Sequence, residues 1–253
     1  MRNINYFLGA NYEIDSNITL TSNEPITDVN NVFTGVINGN SYYINGVGNV
    51  DIHTFASTGY AGLFNRTKNA TFNAISLSNF TINGYVNSAS VYIGILVGYA
   101  ESTTFNNITL TSSTINVVKS TSIGYGANNV NVYIGSIAGY AINSQFRNCI
   151  VNLGGGVANV TISIQGNSQT KVSFGGFVGY ADECLLSNNT NSENAFIISV
   201  TLTISGGSPI VNIGALVGEV GTNGSTLTDN VCTYFESTTS GLVEKNNAVG
   251  KIN

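Results

Sequence analysis

Apolar and polar residues alternate with a period of two over several short stretches of the chain. Ile75-Ser76-Leu77-Ser78, Ile108-Thr109-Leu110-Thr111 and Cys149-Ile150-Val151-Asn152 each place every second side chain on one face. Val91/Ile93, Val132/Ile134, Val172/Phe174 and Val211/Ile213 do the same around Tyr92, Tyr133, Ser173 and Asn212. Alternation at period two predicts strands with one buried face. The interleaved residues, Tyr92 and Tyr133 among them, are expected to point outward.

These stretches recur. Val91-Tyr92-Ile93-Gly94-Ile95-Leu96-Val97-Gly98-Tyr99-Ala100 returns as Val132-Tyr133-Ile134-Gly135-Ser136-Ile137-Ala138-Gly139-Tyr140-Ala141, as 172–181 and as 211–220. The first glycines fall at 94, 135, 175 and 214, in steps of 41, 40 and 39. Degenerate copies stand at Ala61-Gly62-Leu63-Phe64-Asn65 and Gly241-Leu242-Val243. Phe72, Phe105, Phe146 and Leu186 keep the same register. A period near forty with short strands and no helical pattern predicts a solenoid. We read each period as two coils of about 20 residues stacked at about 4.8 Å, about twelve coils in a rod of roughly 60 Å. Glycines suit corners, where positive φ or close backbone approach excludes a Cβ. Asn107, Asn148 and Asn188 share a column, which predicts an internal asparagine ladder and would hide the glycosylation sequons at Asn107 and Asn188.

The chain is read as one domain over 1–253: an N-terminal cap and first coils at 1–52, the repeats at 53–243 and a C-terminal tail at 244–253. Within the first part Asn38-Gly39 is a strong turn signal.

Composition narrows the class. Only 8% of residues are charged, with net charge -5, against 42% hydrophobic. The scatter of 8 Lys and Arg cannot neutralise a phosphate track, which argues against nucleic acid. No apolar run has the length of a membrane span, and Met1-Arg2-Asn3-Ile4-Asn5 has no apolar signal core. Cys149, Cys184 and Cys232 form neither a disulfide framework nor a zinc motif and read as buried apolar residues. Eight Asn-x-Ser/Thr sequons match chance for a chain this rich in Asn, Ser and Thr.

Gly94-Ile95-Leu96-Val97-Gly98-Tyr99, Gly175-Gly176-Phe177-Val178-Gly179-Tyr180 and Gly214-Ala215-Leu216-Val217-Gly218 resemble the GLUG repeat of bacterial and protist surface proteins. Phe33-Thr34-Gly35-Val36-Ile37-Asn38-Gly39-Asn40-Ser41-Tyr42-Tyr43-Ile44 resembles the segment that leads into such repeats. The resemblance covers roughly residues 6 to 243 and departs at Glu219, where Tyr is usual, and at Asn65, where Gly is usual. It implies an all-β, right-handed parallel β-helix in a secreted or cell-surface protein, adhesin-like, serving as stalk or binding region. It supplies no catalytic residue.

A search for chemistry finds little. Glu101 and Asp182 share a column, but four coils would part them by roughly 19 Å, too far to act on one bond. Asp182-Glu183 reads as a solvated turn. His53 has no nearby Cys or Ser partner. Gly154-Gly155-Gly156 and Gly206-Gly207 lack a phosphate-loop lysine. The expectation is therefore a non-enzymatic extracellular β-helix, a rigid spacer or adhesive segment, with no cofactor and no metal site. Its partner would be a glycan or protein surface met by Tyr92 and Tyr133, and its open ends would permit end-to-end self-association. The alternative is a polysaccharide lyase or glycosidase of the same architecture. A lesser one is ice binding through Thr19-Leu20-Thr21, Thr109-Leu110-Thr111 and Thr201-Leu202-Thr203, a column broken by Ser76/Ser78 and Ile150/Asn152.

Overall fold

The structure, a computed structural model, describes residues 4, 6–20, 25–27, 30–46, 49–53, 59–86, 90–119, 131–152, 157–160, 171–191, 197–201, 210–232, 236–240, 243–246 and 249–252. Among them there is no α-helix, none that could cross a membrane, and every strand pairing is parallel.

One period carries five short strands: Val91–Gly94, Val97–Glu101, Thr104–Asn106, Thr109–Thr111 and Thr114–Lys119. The first pairs with Asn131–Gly135 so that Val91 faces Val132 and Gly94 faces Gly135. The second pairs with Ala138–Ile142, setting Tyr99 opposite Tyr140. The third and fourth set Phe105 opposite Phe146 and Leu110 opposite Val151. The same registers continue into the period that begins at Lys171–Gly175. The first four strands of successive periods each build one sheet of six or seven strands, and the fifth strands lie in two sheets of three.

This overturns the expected two coils per period. Successive copies are hydrogen-bonded neighbours, so forty residues advance the stack by a single strand spacing. The reason is the number of corners. The described part of one period holds five short strands, each in a different sheet, and the alternating segments at Ile75 and Ile108 are neighbours within one sheet, Ser76 opposite Thr109. The longest sheets have seven strands, or six spacings, about 29 Å, half the expected length.

The sequence ends follow the same plan. Val36–Asn38 and Tyr43–Asn45 pair with Thr71–Asn73 and Ser76–Ser78. At the other end, Val243–Asn246 and Val249–Ile252 extend the first two sheets through Val211 opposite Val243 and Val217 opposite Val249. The residues expected to be a tail after 243 thus include two further strands.

Inward residues stack on their own copies. Phe72, Phe105 and Phe146 are fully buried, with ring centroids 5.5 and 4.6 Å apart and planes within 12°. On the N-terminal side the column continues to the buried Ile37, and Phe33 and Phe64 pack against Phe72 from other positions, 5.7 and 5.1 Å away. Copies of one residue type stack because the strand spacing matches the thickness of a tilted ring.

The corners are made by asparagine and a few other residues in left-handed geometry: Asn69, Ser102, Asn143 and Glu183 in one column, Ala74, Asn107, Asn148, Asn188 and Asp229 in another. Asn is the residue that adopts this region most readily after glycine. Asn107, Asn148 and Asn188 are exposed, which corrects the expected internal ladder and leaves the sequons at 107 and 188 at the surface. The polar groups that are buried stand one position later or in neighbouring columns. Asn189 Oδ1 accepts from Cys149 N at 2.9 Å and its Nδ2 donates to Phe146 O at 3.0 Å. Ser144 and Ser113 Oγ accept the amides of Thr103 and Phe80.

Candidate functional site: a tyrosine array on the outer face

Two of the sheets meet at the Gly-x-x-x-Gly turn. Tyr60, Tyr92 and Tyr133 come from the first, and Tyr99, Tyr140 and Tyr180 from the second. All six lie outside the core cluster. Within a column the rings stack: Tyr60 on Tyr92 at 5.4 Å, Tyr92 on Tyr133 at 5.6 Å, Tyr99 on Tyr140 at 5.5 Å and Tyr140 on Tyr180 at 4.3 Å. Between columns the contacts are edge to face, 5.0 to 6.0 Å apart. Offset stacks flanked by T-shaped pairs are the favoured arrangement for ring quadrupoles.

Two coils per period would set Tyr99, Tyr140 and Tyr180 about 10 Å from their copies; they are one strand spacing apart and stack. Tyr92, placed as a ligand contact, is half-buried, and Tyr133 retains only 6% of its surface. Both turn away from the core as expected, but into the array. The exposed rims belong to Tyr60, Tyr92, Tyr99, Tyr140 and Tyr180.

The second-position glycines let the two sheets come together. A Cβ on Gly139 would lie 2.7 Å from the Tyr92 carbonyl carbon and press on the Ile93 amide nitrogen. These glycines serve close approach; positive φ is supplied by the asparagine corners instead.

The array is charged at both ends. Arg66 occupies the column of Tyr99, with its guanidinium 5.2 Å from the Tyr60 ring centroid and 5.9 Å from that of Tyr99. Such placements are cation–π contacts. At the other end Ser173 and Asn212 replace tyrosine in the first column, and Glu219 replaces it in the second. Lys171 reaches over the Tyr133 ring at 5.4 Å and pairs with Glu219 at 2.7 Å. Sequence reasoning noted Glu219 as a departure but did not connect it with Lys171, Ser173 and Asn212.

Electrostatically the array is a neutral aromatic surface. Burial raises the phenols of Tyr92, Tyr99, Tyr133, Tyr140 and Tyr180 above their ordinary value. The neighbouring Tyr180 phenol raises Tyr140 further. The phenols are thus donors and stacking surfaces at neutral pH, and not bases.

Other sequence candidates fall apart in space or are occupied. Glu101 and Asp182 are two strand spacings apart, about 10 Å, and not the expected 19 Å. That separation would suit paired carboxylates, but both groups are engaged elsewhere. Glu101 pairs with Lys68 at 2.7 Å, toward the preceding period. Asp182 is buried and accepts from Asn223 N and Nδ2 at 2.9 and 3.1 Å, while Glu183 faces solvent at a left-handed corner. Cys149 and Cys184 are buried free thiols pushed up to about 12 by burial. The side chains of Cys232 and His53 lie outside the described residues. Among the described residues no three His, Cys, Asp or Glu side chains gather where a metal could bind.

The threonine rank is broken as the sequence suggests. Thr109 and Thr111 are flanked in register by Ser76 and Ser78 on one side and Ile150 and Asn152 on the other. Thr19 stands opposite Asn45, and Thr201 belongs to a different sheet. On the neighbouring sheet Asn38, Asn73 and Asn106 form a hydrogen-bonded ladder at 2.9 Å per step. It lies along a shallow groove of about 310 Å³. Compared with known proteins, the chain matches no family model, no curated protein and no solved structure.

Proposed function

We propose that the chain winds as a right-handed parallel β-helix of the GLUG-repeat kind. In this reading it serves as a rigid, non-enzymatic spacer or adhesive segment at an extracellular surface. The observation that carries the reading is the register. Successive periods add in-register strands to the sheet that holds Val91, Val132, Val172 and Val211, so length is set by the number of periods. The rims of Tyr92, Tyr99 and Tyr140 are the binding surface, a strip of neutral rings suited to the apolar faces of a glycan or to a protein partner.

The test is an insertion. A second copy of residues 132–171 placed after Lys171 is expected to fold with the same β-type circular dichroism. Small-angle scattering is expected to register a gain of about 5 Å in the longest dimension. An insert that unfolds the protein, or hangs out as a disordered loop, overturns the spacer reading. Adhesion is tested separately on a glycan array, where Tyr99→Ala should lose whatever the parent protein retains. Terminal strands offering unpaired edges support end-to-end association as part of the same reading, checked by sedimentation across a dilution series.

A further inference from the structure

Where the tyrosine columns end, one carboxylate holds an amine and a carboxamide together. Glu219 is fully buried. Its Oε1 accepts from Lys171 Nζ at 2.7 Å. Its Oε2 accepts from Ser173 Oγ at 2.8 Å and lies 3.5 Å from Asn212 Nδ2. Asn212 is also fully buried, and its Nδ2 donates to Ser173 Oγ at 3.0 Å. Its Oδ1 has no hydrogen-bond partner among the described residues.

Strand register explains the gathering. Ser173 faces Asn212, and Lys171 lies two residues before Ser173 on the same face, opposite Ile210. The lysine stem is long enough to bring its amine back across the gap between strands. Tyr133 covers it, with Nζ 5.4 Å from the ring centroid. An unpaired amide oxygen in a dry site is costly, and such an exception calls for an explanation.

We propose that Lys171 and Asn212 are the two halves of a spontaneous intramolecular isopeptide bond, with Glu219 as proton carrier. The Lys171 ammonium hands a proton to Glu219, which converts a buried ion pair into two neutral groups. The freed lone pair on Nζ attacks Cγ of Asn212, whose other substituent, Nδ2, lies beside the same carboxylate. Glu219 delivers the proton to Nδ2, and the Cγ–Nδ2 bond breaks as the Nζ–Cγ bond forms. A second proton from Nζ leaves with the departing ammonia as ammonium. One C–N bond replaces another, one ammonia is lost, and nothing is oxidised or reduced. Desolvation and fixed proximity are the general means by which a lysine becomes a nucleophile. The product ties Lys171–Gly175 to Ile210–Gly214 and closes one period into a covalent ring, so that a stack under load cannot part at that step.

The experiment is the intact mass of the full chain after folding and complete denaturation. The expected result is a deficit of about 17 Da, one ammonia, with a branched Lys171–Asn212 peptide in the digest. Lys171→Arg keeps a cation opposite Glu219 but supplies no nucleophile, and Glu219→Gln removes the proton carrier; both should have their full sequence mass while retaining the parent circular dichroism. A parent protein at full sequence mass, or a digest without the branched peptide, overturns the proposal. So does a deficit that persists in Lys171→Arg, which would mark a succinimide elsewhere.

Discussion

Tyr99 and Tyr140 lie with their ring centroids 5.5 Å apart and their planes 9° from parallel. They occupy the same position in consecutive periods, and their strands are hydrogen-bonded neighbours. Tyr140 is the centre of the array, stacked also on Tyr180 and edge-on to Tyr92 and Tyr133. Tyr140→Ala should lower stability by about 2–4 kcal/mol, since an aromatic truncation leaves a gap that rigid strands cannot close. Tyr140→Phe keeps the stack and removes only a hydroxyl, so its cost should stay below about 1.5 kcal/mol. Urea unfolding of the two variants checks the ratio, and equal costs would mean that the hydroxyl and not the ring matters.

Glycine substitutions separate close approach from backbone conformation. A Cβ on Gly139 meets backbone atoms of Tyr92 and Ile93, which cannot rotate away. Gly139→Ala should cost about 3 kcal/mol or more, or prevent folding. Gly224 has φ +78° and open space around it, so Gly224→Ala should cost about 1–2 kcal/mol through conformation alone. Thermal melts of both variants should rank them in that order.

Adjacent asparagines should differ just as sharply. Asn189 is fully buried and satisfies Cys149 N and Phe146 O. Asn189→Ala strands both groups without water and should cost about 2–4 kcal/mol. Asn188 is exposed with φ 53°, so Asn188→Ala should cost about 1 kcal/mol. Equal losses at the two sites would contradict the placement of the corner.

That pair also marks what can be read from sequence. Strands, outward tyrosines and the forty-residue register are legible because alternation and glycine spacing are local signals, and Val91/Ile93 beside Tyr92 needs no long-range information. Whether forty residues make one turn or two is not legible, because a period says which residues are equivalent and not how far apart their strands lie. Every error about distance, from the Glu101–Asp182 gap to the tyrosine spacing, descends from that choice. Asn188 and Asn189 are the same residue type, and only the left-handed bend at 188 decides which one faces in. Glu219 stood out as a broken column. Its partners Lys171 and Asn212 become visible only when the columns are aligned at one strand per period.

Alkaline pH should unfold the protein through groups that resist ionisation only when folded. Burial pushes the thiols of Cys149 and Cys184 up to about 12, from an ordinary 9.0, and raises Tyr92, Tyr99, Tyr133, Tyr140 and Tyr180 above 10.0. Each folded group keeps its proton longer than the same group in the unfolded chain. The stabilisation is therefore complete below pH 9 and is lost as pH rises through the thiol values toward 12, with the tyrosines acting in the same direction from 10 upward. The melting temperature should be level below pH 9 and fall steeply above it. Tyrosinate absorbance should rise together with loss of the β-type circular dichroism, since the phenols ionise as the array opens. In a Cys232→Ser background, neither remaining thiol should react with a disulfide reagent at neutral pH until denaturant is added, because both lie in the core and remain protonated. Complete ionisation of all 13 tyrosines near pH 10 in a protein that stays folded would show that the stacked phenols are open to solvent after all.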